Sequence, residues 1–120
     1  MPTVREIALV SDDLIFASRL SHVLGAQGAH VDRAVGGVVP AGVVAIFVDL
    51  NQRAEERISQ IAAWRAERPA GTIIGFCHHA DHEVRRRAMA AGADQVLTNG
   101  GLQAGALRVI GPASKKLPHA

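Results

Sequence analysis

Carboxylates follow two apolar runs of the sequence, at points where buried strands would end. Asp49 closes the run 43–48, and Asp12 and Asp13 follow the run 7–10. A carboxylate left unpaired in apolar surroundings is costly, and open α/β sheets bind their ligands at the carboxyl ends of their strands. We therefore expect Asp49 to have a cation partner, a hydrogen-bond network or a chemical role at that edge.

A second group of reactive side chains lies further along the chain. Cys77 is followed by His78, His79 and His82, and thiolate with imidazole is a good ligand set for zinc or copper. Adjacent histidines on one loop seldom converge on one ion, so a solvated loop is the competing interpretation. For Cys77 the alternatives are a reactive thiol, which needs a lowered pKa, and a small core residue.

The elements that position these residues follow from hydrophobic periodicity. Continuous apolar runs alternate with segments of helical spacing, which is typical of a parallel sheet covered on both faces. We predict an α/β, flavodoxin-like doubly wound sheet of five parallel strands. The glycines and proline of segment 36–42 leave room only for a short or missing second helix. The predicted strands are 7–10, 29–35, 43–48, 72–77 and 95–98, and the last two helices are 82–91, capped by Asp81, and 102–110.

Composition limits the functional classes. The 120 residues are 48% hydrophobic and 20% charged, which predicts one globular domain, 1–111, with an aperiodic and flexible tail, 112–120. Three Phe and one Trp are too few for a stacking surface that binds single-stranded nucleic acid. One cysteine excludes an internal disulfide, and neither a membrane span nor a signal peptide is recognisable. We expect a cytoplasmic protein that binds neither nucleic acid nor a membrane.

Four stretches in order, IALVSDD, VAIFVDL, TIIGFCHHAD and AAGADQVLTN, resemble the receiver domain of bacterial response regulators. The resemblance covers about residues 4–110 and implies a phosphoacceptor, Asp49, with a magnesium ion held by Asp12, Asp49 and the Asn51 carbonyl. In the alignment that keeps the length of the first helix, Ser11 takes the first acidic position of the family. A one-residue shift would instead make Asp12 and Asp13 the acidic pair.

Other positions depart from the family pattern. Cys77 replaces the Ser or Thr that contacts the phosphoryl group, and Asn99 replaces the Lys. Val96 replaces the aromatic residue of the family's switch, and Ser11 replaces an acidic residue. Since a carboxylate attacks an anionic phosphate only when positive charge offsets the repulsion, these changes indicate a pseudo-receiver, with the fold retained and the phosphorylation switch degraded.

The resemblance implies a non-enzymatic signalling module that works by protein contact in a two-component pathway. Its partner would be a histidine kinase, a downstream regulator or a second copy. The contact face would be the family's fourth helix, fifth strand and last helix, which here includes residues 83–91 and 102–110. Two alternatives remain open: a magnesium-dependent phosphoacceptor at Asp49 in a phosphorelay, and a metal- or ligand-responsive module that uses Cys77 and the histidines.

Overall fold

The structure is a computed structural model that describes residues 4–111. It contains five strands and four α-helices, and an α-helix follows every strand except the second. The strands are β1 (Arg5–Val10), β2 (Ala29–Arg33), β3 (Ala45–Asp49), β4 (Ile73–Cys77) and β5 (Gln95–Thr98). The helices are α1 (Leu14–Gly25), α2 (Ala54–Glu67), α3 (His82–Ala91) and α4 (Leu102–Ile110). The tail predicted to be flexible, 112–120, lies outside the described residues.

All five strands are parallel, in the order β2-β1-β3-β4-β5. β3 and β4 are buried along their whole length, since helices cover both faces of the sheet. On one face α2 and α3 enclose a cluster that includes Ile61, Trp64 and Ala88. On the other face α1 and α4 pack through Leu20, Leu24 and Ala106. The predicted fold class is confirmed.

The connection between β2 and β3 contains a single 3₁₀ turn, Val35–Gly37, and no α-helix. Gly36 and Gly37 adopt φ values of 72° and 78°, which are accessible to glycine and unfavourable for other residues. The expectation of a short or missing second helix is confirmed. Within residues 4–111, no helix is long and apolar enough to cross a membrane.

Asp13 and Asp81 precede α1 and α3, and only the first caps its helix through its side chain. The Asp13 carboxylate accepts a hydrogen bond from the Ile15 N–H at 2.8 Å and caps α1. Asp81 precedes α3 as predicted, but its side chain makes no capping hydrogen bond. The turn is closed instead by backbone bonds from Asp81 to His78 and from His82 to Ala80. The predicted role of the Asp81 side chain is therefore wrong, because these backbone bonds and His78 Nδ1, which accepts from the Ala80 N–H at 3.2 Å, close the turn without it.

Candidate functional site

Asp49 is the last residue of β3, at the carboxyl edge of the sheet, and only 4% of it is exposed. Its Oδ2 accepts a hydrogen bond of 2.6 Å from the Ser11 hydroxyl. Its Oδ1 accepts two more, from the Asn51 backbone N–H at 2.9 Å and from Asn51 Nδ2 at 2.7 Å. Both oxygens of this carboxylate are therefore satisfied by neighbouring donors, which is how a buried carboxylate avoids a large desolvation cost.

Asn51 and Asn99 extend this network across the carboxyl edge. Asn51 Nδ2 donates to Asn99 Oδ1 at 3.0 Å, and Asn99 Nδ2 donates to Asn51 Oδ1 at 2.8 Å. The pair joins the loop after β3 to the loop after β5, residues far apart in the sequence. Asn99 thus binds a neutral amide and makes no direct hydrogen bond to Asp49. We name Ser11, Asp49, Asn51 and Asn99 the Asp49 network.

The placement of Ser11 distinguishes between the two sequence alignments. Ser11 contacts Asp49, and its hydroxyl oxygen also accepts a hydrogen bond from the Asp13 N–H at 3.0 Å. Asp13 caps α1 and takes no part in the Asp49 network. The geometry favours the alignment in which Ser11 takes the first acidic position and Asp12 the second.

Asp12 forms ion pairs with two arginines of the segment that begins α2. Arg53 Nε lies 2.8 Å from Asp12 Oδ2, and Arg57 Nη2 lies 3.3 Å from Asp12 Oδ1. The carboxylate raises the pKa of Arg53 further, mainly through their hydrogen bond. Arg57 is 6% exposed, and its Nε and Nη1 make no hydrogen bond within the described structure. A carboxylate predicted to bind metal is thus occupied by guanidinium groups.

Sequence reasoning missed Arg53 and Arg57, although the sequence contains a signal for one of them. Arg57, Ile61 and Trp64 are the buried residues of α2, at the spacing of one helix face. A cation on such an apolar stripe requires an anionic partner. Which carboxylate supplies it depends on how α2 packs against the loop after β1, and helical spacing alone does not specify that.

Cys77 and the histidines do not converge. Cys77 is fully buried in the cluster beneath α2 and α3, and this burial raises the pKa of its thiol, opposite to what a reactive cysteine needs. His78, His79 and His82 are exposed, and the first two rings stack with centroids 4.4 Å apart. In the described range 4–111, no three His, Cys, Asp or Glu side chains are placed to hold a metal. The alternative of a zinc or copper cluster therefore finds no support in the described residues, and the core interpretation of Cys77 is confirmed.

The degenerate switch position, Val96, lies buried on β5. Its carbonyl accepts a hydrogen bond of 2.6 Å from Arg85 Nη1 on α3. Val96 carries no ring that could rotate between buried and exposed positions, and Arg85 fastens α3 to this edge strand.

The magnesium site implied for Asp12, Asp49 and Asn51 does not fit this arrangement of donors. Mg²⁺ needs carboxylate oxygens with free lone pairs and keeps several of its waters. Both Asp49 oxygens already accept N–H or O–H groups, and both Asp12 oxygens face guanidinium nitrogens. Metal binding would require these contacts to break first.

Comparison with known proteins supports the fold. No protein-family model matches the chain, and no curated protein is similar to it in sequence. A CheY-like protein (tadZ) from Pseudomonas aeruginosa PAO1 superposes with a TM-score of 0.76 at 18% identity, over 89% of this chain and 99% of that one. The receiver domain of the TMAO respiratory system response regulator TorR gives 0.74 at 26% identity, over 88% and 93%.

A third structure holds ligands of its own. A response regulator from Burkholderia pseudomallei, with a phosphorylated aspartic acid, a calcium ion and citrate, gives a TM-score of 0.71 at 22% identity, over 86% of this chain and 64% of that one. These neighbours are a CheY-like protein, a receiver domain and a response regulator. The described chain therefore has the CheY-like receiver fold, as the sequence resemblance predicted.

Proposed function

We propose that this protein is an atypical receiver-type signalling module that works by protein contact, in which Asp49 is a structural residue. The receiver fold supports a role in two-component signalling. The observation that carries the proposal is that both Asp49 oxygens are engaged by Ser11 and Asn51 while the carboxylate is buried. A nucleophile needs a free, accessible lone pair, whereas this buried carboxylate already accepts three hydrogen bonds out of about four that its oxygens can accept.

Among the described residues, no cationic side chain makes a hydrogen bond or an ion pair with Asp49, as phosphoryl transfer would require. The transferred group carries negative charge, so catalysis depends on cations placed beside it. Asn99 is neutral and pairs with Asn51. Arg53 and Arg57, the guanidinium groups of this edge that contact a carboxylate, bind Asp12 rather than Asp49. These contacts favour a module with no catalytic activity of its own over a magnesium-dependent phosphoacceptor.

Intact mass measurement after incubation with acetyl phosphate and MgCl₂ tests this function. We expect no phosphoryl adduct under conditions in which a conventional receiver is modified. The matched control is Asp49→Asn, which removes the acceptor and keeps the side chain's shape. One phosphoryl group that is added to the natural protein and absent from Asp49→Asn would overturn the proposal and establish the phosphorelay alternative.

The proposed contact face is formed by α3, β5 and α4. Met89 is 45% exposed on α3, and the small side chains of Ala90 and Ala104 are exposed on α3 and α4, which permits close approach of a partner helix. The partner at this face would be a histidine kinase, a downstream regulator or a second copy of the chain. The interaction would take place in the cytoplasm and involve neither nucleic acid nor a membrane. Sedimentation of the protein and of Met89→Glu assigns the face: a dimer that the substitution abolishes means a second copy, and a monomer means a separate partner.

A further inference from the structure

Asp12 is an acidic residue of the carboxyl edge that solvent can reach, and two arginines already contact it. Its side chain is 46% exposed, and it lines a cleft of 220 Å³ together with Gly36, Gly37, Arg53, Glu56, Arg57 and Gln60. The cleft lies where the 3₁₀ turn replaces a full helix. It is large enough for a hydrated ion to reach Asp12, so sterics alone would not keep a metal away.

Burial of the Arg57 guanidinium group has a desolvation cost, which indicates that its charge has a role. Its side chain is 7% exposed, its contact with Asp12 is long at 3.3 Å, and Nε and Nη1 have no hydrogen-bond partner among the described residues. A buried guanidinium with so few partners loses more solvation than its single ion pair returns. A packing role would be filled at lower cost by an apolar side chain of similar length.

Arg53 is also held in a costly conformation. It precedes α2 with φ 55° and ψ 39°, the single non-glycine residue with positive φ in the described chain. The left-handed region is unfavourable for such a residue. In this conformation Arg53 reaches Asp12 and also lies 3.5 Å from Glu56. Two separate costs, one of desolvation and one of backbone strain, thus accompany the same pair of contacts to Asp12.

We infer that Arg57, together with Arg53, takes the place of a divalent cation at Asp12. Their guanidinium groups supply the positive charge that the acidic edge needs, and they repel a divalent ion that approaches through the cleft. The site is therefore neutralised by residues of its own chain. This inference stands apart from the proposal of protein contact, because it concerns metal affinity and holds whether or not a partner is found.

Paramagnetic Mn²⁺, titrated into the full ¹⁵N-labelled chain as a substitute for Mg²⁺, tests the inference. The variants are Arg53→Gln, Arg57→Met and their combination, and Arg86→Ala removes an unrelated surface ion pair as a control. We expect selective broadening of the Asp12 and Asp13 amide signals in the double variant. The Mn²⁺ concentration for half-broadening should be about tenfold lower than in the natural protein, equivalent to roughly 1.4 kcal/mol. Adding Asp12→Asn should abolish the gain.

One result would overturn the inference: a folded double variant whose Mn²⁺ affinity is no higher than that of the natural protein. The arginines would then not be what excludes the metal. Arg53→Gln changes an exposed side chain and keeps the test decisive if loss of Arg57 impairs folding. It should show a smaller shift in the same direction, and no shift would count against the inference.

Discussion

The two edges of the sheet use polar side chains in different ways. At the amino edge, arginines donate to backbone carbonyls: Arg65 reaches Gly92, Arg68, Pro69 and Gly71, and Arg5 reaches Gln27, Ile110 and Gly111. At the carboxyl edge, polar side chains bind mainly to one another around the buried Asp49. The arginine-to-carbonyl bonds of the amino edge connect loops whatever the loop sequence, because every residue has a backbone carbonyl. The side-chain bonds of the carboxyl edge depend on the identity of every residue that takes part.

Arg65 and Arg57, both on α2, make the difference between the amino and carboxyl edges measurable. Arg65 forms hydrogen bonds through all three nitrogens and an ion pair of 2.8 Å with Asp94, which also accepts from the Ile73 N–H. Arg57, about two turns earlier, has one long contact and two unpaired nitrogens. The Arg65 guanidinium group connects several backbone segments, whereas few hydrogen bonds compensate the burial of the Arg57 guanidinium group. An arginine whose nitrogens are all hydrogen-bonded contributes to the stability of the fold. A buried arginine with unpaired nitrogens indicates that its charge is needed for something other than stability.

Arg65→Met should therefore be the most damaging of the substitutions considered. It leaves several carbonyls and the Asp94 carboxylate without a donor, and hydrogen bonds to charged groups contribute about 1.5–3 kcal/mol each, so we expect a loss of about 3 kcal/mol. Urea unfolding measures the change in the free energy of unfolding.

The matched variant is Arg57→Met, which we expect to cost less than about 1 kcal/mol, because the remaining partner, Asp12, is 46% exposed and keeps its ion pair with Arg53, so no buried charge is left unpaired. Equal losses in the two variants would remove the contrast between the two guanidinium groups. A near-neutral Arg65→Met would show that the amino edge is held by other contacts.

Asp49→Ala removes the acceptor at the centre of the other edge. The Ser11 hydroxyl and two N–H groups of Asn51 lose their partner, and leaving buried donors unpaired costs about 1–3 kcal/mol, so we expect a loss of about 2 kcal/mol. Asp13→Ala is the matched control at the same edge, because it removes a helix cap alone and should cost about 1 kcal/mol. If Asp49→Ala costs no more than Asp13→Ala, Asp49 is not the centre of the carboxyl edge.

The same contrast explains which features could be predicted from the sequence. Strands and helices followed from local periodicity, and Gly36 and Gly37 revealed the missing helix because turns of positive φ require particular residues. The need of Asp49 for partners followed from its place after an apolar run. The pairing of Asn51 with Asn99 could not be predicted, since it depends on two loops 48 residues apart in sequence. The role of Arg57 was hidden because a long side chain can reach several carboxylates.

An exposed pair on the two strands at the β2 edge should have the smallest effect. Glu6 on β1 is aligned with His30 on β2, and their side chains lie 2.8 Å apart with 48% and 61% exposure. The hydrogen bond and charge of Glu6 raise the pKa of His30 above its ordinary 6.5. The protonated form is thus favoured in the folded state. Its contribution to stability is complete below pH 6.5 and is lost as the pH rises through the higher folded pKa.

NMR titration of the His30 ring measures this pKa directly, with Glu6→Gln as the comparison. We expect the midpoint to fall in the variant, while the free energy of unfolding at neutral pH changes little, because exposed ion pairs are weak. An unchanged midpoint would mean that the pair does not persist in solution. A large loss of stability would mean that the strands at this edge depend on side-chain pairing in the way that the carboxyl edge does. The ion pair at the β2 edge and the polar network at the carboxyl edge would then differ in burial alone.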